Sequence, residues 1–301
     1  MNLLPKDIYH FPGRNPNGLN VLVLGGTHGN EFASIQVVDK LFDLIKEVKL
    51  IGNLYIGYGN PAAIALQTRG ASQTQDLNRD MVDELIEAKP QPNDTPDLQR
   101  ARELAPLLHQ MDYVFDLHAT SGPSEPYVCF RSNDNSKRKE LLPLFPVRYV
   151  LTDPDNILAG HRGTTHTPTI DAYVDDHGGI GFCYEIGQAT DLDSTDQVVA
   201  TLFRLFRKIG LVDGVVSGKK YQPEVYCLKE AVQAKDELFV YQPGMDQNWI
   251  EVETGQLVGC YNGGIEERVS SKGRLVFPLA ADQVRRGKVL YYLSSKLAST
   301  G

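Results

Sequence analysis

The chain has 301 residues, 42% hydrophobic and 23% charged, the balance of a soluble globular protein, and that length fits two domains better than one core. A net charge of −8 argues against nucleic acid as a partner, because phosphate binding calls for a basic surface. Residues 1–12 lack the apolar core of a secretion signal, no apolar run is long enough to span a membrane, and the four cysteines, Cys129, Cys183, Cys227 and Cys260, form no Cys-x-x-Cys pair, so reduced, mostly buried thiols and a cytoplasmic setting are expected.

Prolines and glycines through residues 1–20 predict a short lead-in strand and turn. Val21-Leu22-Val23-Leu24 then reads as a buried strand broken by Gly25-Gly26, and residues 32–48 show helical spacing of apolar side chains. His28 and Glu31 fall in the turn between them, at the carboxyl edge where open α/β folds place ligands. A second strand is expected over 53–58, ending at the turn Gly59-Asn60-Pro61, with one or two helical turns over 62–67 and a polar loop over 68–75. The polar cluster Asp76-Leu77-Asn78-Arg79 follows directly. Thr95 as cap, Pro96 and Asp97 predict a helix running to about His109, which Pro106 could kink or shorten.

A third strand is expected over 112–118 and a fourth over 179–187, before a helix over 196–209. Beyond Gly210 the segments are short, β-rich and punctuated by glycine, which predicts domains of 1–210, α/β, and 211–301, all-β.

His and carboxylate are both zinc donors, yet about one His-x-x-acid pair is expected by chance in a chain of this composition. The second such pair, His109 and Asp112, closes an amphipathic stretch, where a histidine suits a helix C-terminus. At His28 and Glu31 a metal site and a structural turn both remain open. His118 ends its strand as His28 follows its own, so the two would reach the same rim of a parallel sheet, the alternative being a core histidine. Asp116, two residues earlier, shares its face and is a candidate to orient a ligand imidazole, or else an ordinary strand acid. Glu185 is a charge late in an uncharged strand, which calls for an ion pair or a catalytic role.

Taken together, Gly25-Gly26-Thr27-His28-Gly29-Asn30-Glu31, Gly59-Asn60-Pro61, Asp76-Leu77-Asn78-Arg79, Asp116-Leu117-His118 and Glu185-Ile186-Gly187 resemble the ordered motifs of the aspartoacylase and succinylglutamate desuccinylase family. Residues Pro243-Gly244-Met245-Asp246-Gln247-Asn248-Trp249 also resemble its C-terminal region. The resemblance implies a carboxypeptidase-like mixed sheet flanked by helices, with a smaller β domain. It implies one zinc ion per chain, held by His28, Glu31 and His118 with one position left open, and Glu185 as general base. Arg69 would polarise the scissile carbonyl, and Asn78 and Arg79 would hold the substrate α-carboxylate. Arg69 and Arg79 are ten residues apart, slightly more than the family pattern.

Where aspartoacylases carry Thr-Thr-Arg, this chain has Thr164-Thr165-His166, so His166 or the nearby Arg162 would contact a substrate side chain. Ala119 stands where they carry Asn, and no counterpart of their C-terminal substrate tyrosine is evident. His161 and His166 could form another metal pair, though a loop-borne substrate contact or solvent exposure suits them better. The function expected is zinc-dependent cleavage of a small N-acyl amino acid, with N-acetylaspartate as leading candidate. Desuccinylase or carboxypeptidase-like hydrolysis is the alternative, and a non-catalytic metal or ligand-binding protein the third reading. The sequence leaves room for a homo-oligomer and does not specify one.

Overall fold

The computed structural model describes residues 4–72, 75–120, 122, 124–132, 134–159 and 164–297. Strands β1 (Ile8–Phe11) and β2 (Asn20–Gly25) lead into α1 (Phe32–Leu44), and β3 (Asn53–Tyr58) into α2 (Pro61–Leu66), α3 (Asp83–Ile86) and α4 (Pro96–Leu108). Then follow β4 (Tyr113–Thr120), β5 (Tyr127–Phe130), α5 (Ser136–Leu141), β6 (Tyr149–Thr152), α6 (Ile170–Asp176), β7 (Ile180–Gln188) and α7 (Thr195–Ile209). The rest is β: β8 (Glu224–Gln233), β9 (Phe239–Tyr241), β10 (Ile250–Val252), β11 (Leu257–Tyr261), β12 (Glu266–Arg268), β13 (Gly273–Val276) and β14 (Val289–Lys296).

These strands build one mixed sheet in the order β1-β3-β2-β4-β7-β5-β6-β8-β14-β13-β10, beside a small antiparallel sheet β12-β11-β9. The α/β architecture with a mixed sheet flanked by helices is therefore present. The expected boundary near residue 210 falls after α7, and the sheet continues across it, because β8 pairs in parallel with β6. No apolar periodicity marks the stretch between the third and fourth expected strands, yet it supplies β5, α5, β6 and α6. Pro106 stands inside α4 close to its end, where few downstream turns depend on it, and the helix runs on to Leu108. His109 follows as the helix C-cap, while Asp112 accepts from the Asn20 backbone N–H at 2.8 Å, so that second pair is not a joint site.

Strands β3, β2, β4 and β7 run parallel and adjacent, buried on both faces as their apolar content requires. On one face Val21, Val23, Phe115 and Phe182 pack with Val37 of α1 and Phe206 of α7; on the other, Leu22, Leu24 and Val114 meet Leu104 of α4 and Tyr173 of α6. The chain leaves β2 through α1 to one neighbour, β3, and later returns through α4 to the other, β4. The carboxyl ends of β2 and β4 thus flank a topological switch point, where the crossovers diverge and leave a crevice.

The turn after β2 depends on two glycines. Gly26 has φ +64°, in the left-handed region, and a Cβ on Gly29 would lie 2.0 Å from the backbone carbon and oxygen of Ala63 in α2. Gly29→Ala should therefore destabilise the fold by about 1–3 kcal/mol or more in denaturant unfolding. An unchanged midpoint would show that the turn and α2 are not in rigid contact.

Candidate active site

His28, Glu31 and His118 come together as a buried cluster. The turn after β2 supplies the first two, and β4 supplies His118, whose alternation with Leu117 places it on the same face as Asp116. His28 Nδ1 lies 2.7 Å from Glu31 Oε1, and His118 Nδ1 lies 3.2 Å from both Glu31 Oε2 and His28 Nδ1. Glu31 is fixed further by the backbone N–H of Ala119, which donates to Oε2 at 2.9 Å.

The outer nitrogen of each ring faces a carboxylate. His118 Nε2 is 2.7 Å from Asp116 Oδ2, and His28 Nε2 is 3.3 Å from Asp76 Oδ1. With a cation held at Nδ1 between the rings and Glu31, each Nε2 would carry the hydrogen toward its carboxylate and each Nδ1 would keep its lone pair. Two imidazole Nδ1 atoms and a carboxylate converge. Such an arrangement calls for a cation, and two His with one Glu is a donor set suited to zinc. Asp116 is itself held by the Thr27 hydroxyl, which donates to Oδ1 at 2.6 Å. Burial would raise the Glu31 and Asp76 carboxyls, but His28 and His118 around the first, and Arg69, His28 and Arg79 around the second, hold both well below the usual range.

Glu185 lies on β7 directly beside His118 in the parallel register. Burial, with Glu31 adding to it against the pull of His118, His28 and Arg69, pushes its carboxyl up to about 7. Its Oε2 is buried with no hydrogen-bond partner among the described residues. Arg69 donates from Nε to Asp76 Oδ2 at 3.0 Å, and among the described residues its terminal nitrogens make no other hydrogen bond. Asn78 is buried; its Oδ1 accepts the Ile170 backbone N–H at 2.8 Å, and its Nδ2 sits 3.3 Å from His118 Nε2. Arg79 donates from Nη1 to the Asn78 carbonyl at 2.7 Å.

His166 lines a cavity with Asp83, Tyr173 and His177, and its neighbour Thr165 donates to Glu84 at 2.5 Å. Arg162 and His161 lie outside the described residues. Two site residues escaped the reading of the sequence. Asp76 carries the second imidazole, a role that nothing local distinguishes from an ordinary loop acid. Tyr292, on β14, is close enough to Arg79, Asp153 and Arg69 for their charges to act on its hydroxyl, which burial chiefly pushes up to about 12. Only the pairing of β14 with β8 brings it there.

A family model described as the succinylglutamate desuccinylase/aspartoacylase catalytic domain matches residues 17–208, and the chain belongs to this family. An N-acyl-aromatic-L-amino acid amidohydrolase of Xenopus laevis is 28% identical over 152 residues, 46% of this chain and 49% of that protein. The chain therefore spans about half the length of that relative. A succinylglutamate desuccinylase of Pseudomonas aeruginosa is 24% identical over 295 residues, 88% of this chain and 81% of the other. Among solved structures, murine aminoacylase 3 superposes with a TM-score of 0.72 at 22% identity, covering 95% of this chain and 97% of that one. A succinylglutamate desuccinylase/aspartoacylase from Rhodobacter sphaeroides gives 0.73 at 20% identity, over 98% and 89%. These two show the fold.

The carboxylate behind His118 makes a direct prediction. Asp116→Asn should weaken zinc binding about 10–100-fold, measured by competition with a chelator, because the ring loses its ionised acceptor. Unchanged affinity would mean that Asp116 serves the strand and not the imidazole.

Proposed function

We propose that the protein is a zinc-dependent amidohydrolase that cleaves a small N-acyl amino acid into a carboxylate and a free amino acid. The observation that carries this reading is the convergence of two Nδ1 atoms and the Glu31 carboxylate, with Glu185 and its buried Oε2 beside them. When bound by His28, Glu31 and His118, zinc supplies Lewis acidity and acidifies water at the open position.

The chain's own residues account for the rest. Glu185 accepts the proton of the attacking water and returns it to the departing amine, a role suited to a carboxyl raised to about 7. Arg69, tethered through Nε to Asp76, offers its terminal nitrogens to the carbonyl oxygen as that oxygen gains charge. Arg79 and the Asn78 amide take the α-carboxylate; Asn78 is held for this by Ile170, and Arg79 by the Asn78 carbonyl. A protein that merely binds has no use for a buried base next to a metal, which favours turnover over the binding-protein reading.

Glu185→Gln should keep zinc stoichiometry unchanged and lower kcat by about 10²–10⁴-fold. Full activity with zinc bound would remove Glu185 from the mechanism. The substrate is tested by free-amine release from a panel that varies the acyl group and the side chain separately. Turnover is expected for acyl amino acids with a free α-carboxylate and lost in their methyl esters. Hydrolysis of acetyl-aspartate alone would assign the side-chain carboxylate to Arg162 or His166, and no turnover of any member by the zinc-loaded chain would contradict the proposed function.

A further inference from the structure

Away from this cluster, a second group of His and carboxylate donors forms where three helices meet. We propose that Asp83, His109 and His177 bind a second divalent transition-metal ion of the zinc type, exchangeable and near the surface. Each offers one ligand atom, and the three atoms lie within 4.8 Å of one another. His177 Nε2 and Asp83 Oδ1 are already 3.4 Å apart, close to the separation of roughly 3.3 Å that two donors have across a tetrahedral zinc ion.

The surroundings favour this assignment. His177 Nδ1 is 2.8 Å from the Tyr173 carbonyl, which can only accept, so the hydrogen is on Nδ1 and the Nε2 lone pair faces Asp83. That is the backbone anchor that orients metal-binding imidazoles. His109 and His177 are stacked at 4.0 Å with 16° between planes, so His109 must turn out of the stack for both in-plane lone pairs to reach one ion. Both histidines are helix C-caps, of α4 and α6, so a cation between them faces the negative end of each helix. The Tyr173 hydroxyl lies 2.7 Å from His109 Nε2. His109 and Asp83 are exposed side chains, and binding the ion would exchange their contacts with Tyr173 for the metal.

The site would also have something to hold. Asp83 opens α3, shortly after Asn78 and Arg79, and α6, which His177 ends, begins at Ile170, whose N–H holds Asn78 Oδ1. An ion here ties α3, α4 and α6 together around the turn that presents the α-carboxylate contacts.

The experiment is calorimetric titration of zinc chloride into the tag-free chain after chelator stripping. Two binding phases are expected, the weaker one lost in His177→Ala and in Asp83→Asn, with the tighter one kept in both. A single phase kept in both variants, or a weaker phase that survives both substitutions, would overturn the proposal. Loss of the tighter phase alone in the unmodified chain would count against the buried cluster and leave this second site standing.

Discussion

The convergence of His28, Glu31 and His118 at the meeting of β2 and β4 is the constraint on which the site depends. Two imidazoles, each with Nε2 facing an aspartate, turn their Nδ1 atoms to within 3.2 Å of each other and of a glutamate. In a buried setting such a cluster needs positive charge, on the rings or between them. A metal ion would supply it, and the outer carboxylates Asp76 and Asp116 would then make both rings better donors.

The fold delivers these groups cheaply because the sheet does most of the positioning. His28, Glu31, His118 and Glu185 all stand at or near the carboxyl ends of adjacent parallel strands, so strand register alone brings them within reach. The polar loop between α2 and α3 contributes Arg69, Asp76, Asn78 and Arg79, and its backbone is pinned by Asp97 of α4, which accepts from the N–H groups of Ala71 and Ser72, both at 2.9 Å. The C-terminal strands continue the same sheet, which brings Tyr292 within range of the charges of Arg79 and Arg69.

What could be read in the sequence follows from the same physics. The strand, glycine break, His and Glu of residues 21–31 are local, and so is the alternation that puts Asp116 with His118. Their positions relative to each other needed only a parallel sheet. Asp76 and Tyr292 were not legible, because their partners lie 48 residues away for Asp76 and across β14–β8 pairing for Tyr292. β5 and β6 were missed because each is a four-residue strand, too short for periodicity to show. The loop that carries His166 was legible as a departure from the family pattern, but only the structure puts it on the rim of a cavity with Asp83 and His177.

The central claim is that both ligand rings are Nε2–H tautomers that meet a cation through Nδ1. Nitrogen-15 NMR of histidine-labelled protein carrying one equivalent of zinc tests it directly, against a background of only seven histidines. The account predicts that His28 and His118 show protonated Nε2 and zinc-shifted Nδ1, and that each signal is lost in the matching alanine variant. Zinc bound through Nε2 of either ring, or no change in either ring on zinc addition, would contradict it.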